Sequence, residues 1–373
     1  MLTVLALTGA VLGGSTETWA ETGGKSAGIV AREMEARKIP GLQYAIVRQG
    51  QIVESGAIGL ANVELGASVT SRTLFQINSI TKAFTGVAVM QLAQQGKLEL
   101  DRPVSMYLAD LPPAWAKVTV RQLLTNTSGL PQLMDGNGQL IAVDFAESWR
   151  KLRKLPLESA PGTQFSYNGT NYVLVGMLID QLSGEPFARF IANRQFDSVG
   201  MPLTKQAGFV DAYDIVIGSA RVYSFARLVR GAEVRGETLS NNPFEEFPPP
   251  LRTAAGMYST AEELAKWLIA LQSGKLIDRQ ALETLWTPGR LKDGSQQGFT
   301  DFLNGYALGW VVASRPQHRA VGGVGGGRAA FFVYPDDDLA VVILTNLRGG
   351  SPESFIDAVA APYLEADSGK GTK

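Results

Sequence analysis

Apolar and polar positions set strand-like blocks at the two ends of the chain and a helical period between them. From Gly41 to Ala61, GLQYAIVRQGQIVESGAIGLA places apolar residues on both sides of a turn centred at Gly50, the pattern of a β-hairpin. From Ser79 to Gly96, Ile80, Phe84, Val87, Met90 and Leu92 recur at helical spacing and the run stops at a glycine, which predicts a helix with Asn78-Ser79 supplying its N-terminal cap. Residues from roughly 100 to 300 mix short helical patterns, such as Thr260 to Gly274, with loops marked by Pro131, Pro161-Gly162 and Pro248-Pro249-Pro250. Strand character returns over Tyr306 to Val312, Ala329 to Tyr334 and Leu339 to Thr345, followed by a helical Pro352 to Leu364 and a polar tail. The two ends of the chain are therefore expected to share one sheet. No solenoid or propeller repeat interrupts this order.

The first twenty residues, MLTVLALTGAVLGGSTETWA, form an apolar run followed by small residues, with Thr18 and Ala20 placed as before a signal-peptidase cut, although no Lys or Arg precedes the run. The expectation is export to the periplasm or the extracellular space, without a membrane span once the signal is removed, since no later stretch approaches eighteen uninterrupted apolar residues. The expected organisation is a signal peptide at 1–20, one domain at 21–366 and a polar tail at 367–373. Within that domain the sheet comes from about 40–65 and 305–346, and the helical region spans about 79–300.

Composition narrows the chemistry. At 373 residues and 45% hydrophobic content the chain can bury a large core. Its 34 basic and 35 acidic residues leave a formal charge of −1, with no basic stripe for nucleic acid. Cys is absent and His occurs once, which excludes thiol catalysis, Cys-ligated zinc and poly-His metal sites, and leaves His318 as the one imidazole for a Ser-His-Asp triad. No metal or organic cofactor is expected.

Serine followed three places later by lysine occurs twice, a spacing that carries little by itself. Ser148 and Lys151 sit among Arg150, Arg153 and Lys154, where a lysine stays hydrated and protonated and cannot accept a proton. Ser79-Ile80-Thr81-Lys82 differs: the helical spacing puts both side chains on one face, and Phe75, Ile77, Ile80, Ala83 and Phe84 make the setting apolar, which disfavours a charged amine. A neutral amine beside a serine hydroxyl is the Ser-Lys form of nucleophile activation.

FQINSITKAFTGVAVMQLAQQGKLELDRPVSMYLADLP resembles the nucleophile region of class C-type serine β-lactamases, their penicillin-binding relatives and the family VIII carboxylesterases. The resemblance continues in VTVRQLLTNTSGLP, PGTQFSYNGTNYVLVGMLIDQLSG, TAAGMYSTAEELAKW and the strands from YALGW to VVILTN, in family order. It implies an α+β fold of the β-lactamase and transpeptidase type: a mostly antiparallel sheet from both chain ends, flanked by helices, with an inserted mainly helical region and the site between them. It implies Ser79 as nucleophile, Lys82 as base, Tyr167 as proton relay, and backbone N–H groups of Ser79 and Gly326 as the oxyanion hole.

Three positions depart from the family pattern. Gly169 stands where the Tyr-x-Asn motif carries its asparagine, with Asn168 one place early. The usual Lys-Thr-Gly or His-x-Gly triplet falls on Gly323-Val324-Gly325, without its cation or imidazole, and Arg328 is the nearby residue able to replace the charge. His318 lies five residues before that triplet and reads as a loop residue, and Asn126 replaces the common histidine before TSGLP. Asn168, Gly323, Gly325 and Arg328 are accordingly the expected substrate-binding positions. The expected partner is a small ester, amide or β-lactam, with carboxylesterase favoured, β-lactamase or D-alanyl-D-alanine peptidase next, and a catalytically inactive scaffold as the reading from another class. The sequence leaves the oligomeric state open.

Overall fold

The computed structural model describes residues 24–135, 140–210, 214–229, 232–241 and 248–364. The expected signal at 1–20 and tail at 367–373 lie outside the described residues. The strands in chain order are β1 (Gly41–Arg48), β2 (Gln51–Asn62), β3 (Ala67–Ser68), β4 (Phe75–Gln76), β5 (Tyr223–Val229), β6 (Ala232–Asn241), β7 (Tyr258–Ser259), β8 (Gly305–Tyr306), β9 (Val311–Ala313), β10 (Ala320–Gly325), β11 (Ala329–Tyr334), β12 (Leu339–Thr345) and β13 (Leu347–Arg348).

Eight of them form one sheet in the order β3-β2-β1-β12-β11-β10-β9-β8. The ends of the chain meet inside it, β1 pairing antiparallel with β12 so that Ile46 faces Val341. The β1–β2 hairpin turns through Gln49 and Gly50, both at positive φ (51° and 69°), as a two-residue turn between right-twisted strands requires. Burial on both faces explains why β12 reads as an unbroken apolar run rather than an alternation. Ala340, Val342 and Leu344 point into the core shared with the helices of the inserted region, whereas Leu339, Val341 and Ile343 point toward the two terminal helices, Ala27–Arg37 and Ile356–Leu364.

The helix Thr81–Gln94 lies within the first of these cores, with eleven of its fourteen residues buried, so it is apolar nearly all round. Phe84 stacks on Trp267 at 3.9 Å between ring centroids, tying this helix to the helix Ala261–Gln272. Two readings of the sequence are corrected here. Tyr306 to Val312 is not one strand: β8 and β9 are separated by a turn through Gly309, at φ 88°, a position that a side chain could not take because its Cβ would lie 2.4 Å from the Lys82 carbonyl. The inserted region also holds a β5–β6 hairpin that no pattern announced, paired through β5 to β13.

Candidate active site

Ser79 occupies a single 3-10 turn, Asn78–Ile80, that leads into the helix Thr81–Gln94. Asn78 is buried at φ 45°, a region that non-glycine residues seldom enter, so the chain bends sharply just before the serine. The expected cap by Asn78 or Ser79 is not formed: neither side chain caps the turn or the helix. The turn is fixed instead by Thr81 Oγ1, which donates to the Asn78 carbonyl at 2.6 Å. Ser79 is thereby left half-buried, facing open space.

Lys82 is 4% exposed, and its Nζ donates to Ser79 Oγ at 3.1 Å and to the Ala254 carbonyl at 3.0 Å. That carbonyl is held in place by its neighbour Thr253, whose own carbonyl accepts from Thr85 Oγ1 and whose Oγ1 donates to the Tyr172 carbonyl, both at 2.6 Å. Nζ also lies 4.6 Å from the ring centre of Tyr167 and 5.0 Å from that of Tyr172. The structure therefore brings Ser79, Lys82 and Tyr167 together, as the sequence spacing and the resemblance require.

The loop carrying Tyr167 is positioned by Asn126, a residue at φ 55° whose importance the sequence did not reveal. Its carbonyl accepts from Ser166 N at 2.8 Å, and its Oδ1 accepts from Asn168 N at 3.2 Å and Asn171 Nδ2 at 3.0 Å. Beneath them the buried phenols of Tyr172 and Tyr306 meet at 3.5 Å. Burial pushes both far above the usual tyrosine range, so they stay neutral, whereas Tyr167 is 37% exposed at the cleft.

The glycines of VGGVGGGR have separate structural causes. A Cβ at Gly325 would lie 2.0 Å from the Ile77 carbonyl and 3.2 Å from Ser79 N, so the end of β10 touches the serine turn only because no side chain intervenes. Gly326 and Gly327, at φ 57° and 61°, are the two central residues of the turn closed by Arg328 N to the Gly325 carbonyl at 3.0 Å. A Cβ at Gly323 would fall 2.7 Å from Phe331 Cε1 and 3.2 Å from Ile80 Cγ1. The side chain absent from the first position of the Gly323-Val324-Gly325 triplet is thus matched by the Phe331 ring lying where its Cβ would be.

Two expected substrate-binding side chains are not brought into the cleft. Asn168 is buried as the cap of the helix Gly169–Ser183, its Oδ1 accepting from Thr170 N at 2.8 Å and its Nδ2 donating to the Leu130 carbonyl at 2.6 Å. Arg328 is fully buried and donates from Nη2 to Gln76 Oε1 at 2.8 Å, under the Gly326 turn rather than in the site. His318 is likewise remote, with Nδ1 2.8 Å from Asp337 Oδ1.

Two cavities meet at Ser79 and Tyr167. One, of about 550 Å³, is walled largely by Phe299, Phe302, Tyr306 and the glycine edge of β10; its charged lining, among the described residues, is Glu353. The other, of about 440 Å³, holds Lys82, Gln132, Met134, Asp135 and Gly169. A carbonyl group at Ser79 would therefore have room for a substituent on either side. Neither lining includes an Arg or a His among the described residues. Phe299, Phe302 and Glu353 were not foreseen from the sequence, because they converge on the serine only through the fold.

Comparison with known proteins gives a consistent result. Residues 27–363 match the Beta-lactamase family model. The chain is 30% identical over 244 residues to PbpX of Bacillus subtilis (strain 168), a protein named for penicillin binding, across 65% of this chain and 58% of that one. It is 29% identical over 360 residues to esterase EstB of Burkholderia gladioli, across 84% and 87%. Among solved structures, the octameric penicillin-binding protein homologue from Pyrococcus abyssi superposes with a TM-score of 0.71 at 27% identity, covering 92% of this chain and 77% of that one. The chain thus spans less than two thirds of the length of PbpX but most of EstB.

Proposed function

The chain belongs to the Beta-lactamase family, whose members include serine esterases and penicillin-binding-type proteins, and on that premise we propose that it is a hydrolase of small carboxylic esters acting through an acyl-enzyme on Ser79. Ser79 Oγ adds to the ester carbonyl carbon as its proton passes to Lys82 Nζ, 3.1 Å away. The carbonyl oxygen, now negative, is met by the backbone N–H groups of Ser79 and Gly326. Collapse expels the alcohol, protonated through the Tyr167 phenol, and leaves the acyl group on Oγ. Water then adds to that acyl carbon, its proton travels back through the same groups, and the carboxylic acid departs.

The observation that carries the ester reading is the lining of the cleft. An anionic β-lactam or a peptide with a free carboxylate needs a fixed cation, and the place where relatives put one is Gly323, backed by Phe331. Losing a charge-assisted hydrogen bond of about 1.5–3 kcal/mol costs roughly ten- to hundredfold in affinity. A neutral ester loses nothing. The expected result is measurable hydrolysis of p-nitrophenyl butyrate, with kcat/KM for nitrocefin lower by about an order of magnitude or more.

The likeness to PbpX and the Pyrococcus protein favours a second reading, a β-lactamase or D-alanyl-D-alanine peptidase. Nitrocefin turnover equal to or above ester turnover would select it. A fluorophosphonate that labels neither wild type nor Ser79→Ala, with both substrates inert, would leave a non-catalytic scaffold. Export belongs to the same proposal and rests on the apolar residues 1–20. A mature secreted chain starting near Glu21 is the expected outcome of N-terminal sequencing.

A further inference from the structure

The larger cavity at Ser79 combines aromatic walls with, among the described residues, one acidic side chain, that of Glu353. Phe299, Phe302 and Tyr167 are each left between 37% and 44% exposed there; Arg315 already lies 5.6 Å from the Phe302 ring centre and Lys82 4.6 Å from that of Tyr167, and the remaining ring surface, that of Phe299 above all, is presented to a ligand. Glu353 follows Ser351, a non-glycine residue at φ 46°, in the turn Pro352–Ser354 that delivers it to the cavity. Its Oε2 is buried without a hydrogen-bond partner, and burial pushes its carboxyl above the usual carboxylate range despite a hydrogen bond from Ser351 and the charge of Arg37. Arg37 is engaged elsewhere, 3.0 Å from Glu33 and 4.9 Å from the Phe355 ring centre. Lys82 lines the other cavity.

A carboxylate held in this setting without a full set of partners is costly, and no residue of the catalytic scheme above needs it. An anion entering the cavity is repelled, and a plain alkyl group leaves the negative charge unanswered. Exposed aromatic rings together with a carboxylate answer an alkylammonium, which is attracted by the ring quadrupole and by the charge. We infer that this cavity takes an alkylammonium group carried by the substrate ester, with Glu353 as the residue that selects for it. The inference rests on the ester-hydrolase reading of Ser79 and names the class of ester.

The test uses the full chain and two pairs of esters that differ only by nitrogen or carbon at one atom. Butyrylcholine is compared with 3,3-dimethylbutyl butyrate, placing the charge on the alcohol side. Ethyl 4-(trimethylammonio)butyrate is compared with ethyl 5,5-dimethylhexanoate, placing it on the acyl side. In at least one pair the charged ester should have kcat/KM about tenfold above its neutral twin. Glu353→Gln should bring that ratio toward one, and Glu353→Asp, which keeps the charge, should retain part of the preference. Equal turnover within both pairs overturns the inference, as does a preference that survives Glu353→Gln. Should none of the four esters turn over, the ester-hydrolase reading fails separately. Calorimetry with tetramethylammonium then decides the cavity: binding lost in Glu353→Gln supports the assignment, and its absence in wild type overturns it.

Discussion

Lys82 Nζ stands 3.1 Å from Ser79 Oγ while a second bond, to the Ala254 carbonyl at 3.0 Å, fixes the amine from a turn far along the chain. Two residues three apart on a helical turn are thus turned into a rigid pair by a segment more than 170 positions away. Ser79→Ala and Lys82→Ala should each lower kcat by about 10³-fold or more, and the double variant should be little worse than either single one, because groups that act as a unit fail as a unit. Steady-state kinetics on p-nitrophenyl butyrate measure this. Retention of more than about a tenth of the activity in Lys82→Ala would sink the pairing.

Tyr167 touches both cavities, so its phenol can reach a leaving group on either side of Ser79. Leaving groups of high pKa need a proton as they depart, whereas p-nitrophenolate does not. Tyr167→Phe should therefore reduce turnover of alkyl esters more than that of p-nitrophenyl esters. Equal loss on both would assign the phenol to packing against Phe299, 5.0 Å away, or to Ser79 activation alone.

The two glycines that depart from the family pattern should respond differently to restoration. A Cβ at Gly169 would meet Leu251 at 3.4 Å and Met134 at 3.9 Å, ordinary contacts, so Gly169→Asn should fold with a melting temperature close to wild type and raise nitrocefin turnover relative to ester turnover. At Gly323 the same atom would fall 2.7 Å from the ring of Phe331, which is fully buried and packed on Trp310 at 5.1 Å. Gly323→His should therefore lower stability by about 1–3 kcal/mol, the cost of overpacking, and should gain nitrocefin activity only with Phe331 shortened to Leu. Thermal melts and nitrocefin rates on the three variants check both halves.

Glu353 carries a stability consequence with a definite sign. Its folded carboxyl holds a proton to higher pH than the unfolded one, because burial disfavours the charge. Between the unfolded and the folded pKa the native state binds more protons, so stability falls as pH rises through that window and the cost is fully present above the folded pKa. Glu353→Gln should then melt at a higher temperature than wild type at pH 7, and the difference should shrink below the usual carboxylate range. A variant less stable at pH 7 would show that the carboxylate is a structural partner of Ser351 and Arg37.

The local chemistry was legible in the sequence because it is written in local terms. A Ser-Ile-Thr-Lys spacing, an apolar surround, the glycine of the β1–β2 turn and continuous apolar runs at both ends determine the Ser79–Lys82 pair, a buried helix and a sheet that joins the two ends of the chain. Tertiary structure decided what surrounds the serine. Asn168 and Arg328 are polar residues near the motifs, yet packing turned one into a helix cap and buried the other beneath a glycine turn. Phe299, Phe302 and Glu353 come from segments more than 200 residues beyond Ser79 and meet it only where β10 and the Pro352–Ser354 turn approach the cleft. Periodicity reports which face of an element is buried, and it carries no record of which distant side chains share a cavity. The juxtaposition of Ser79 and Lys82 was therefore readable from the chain, whereas the walls of the cleft beside them were not.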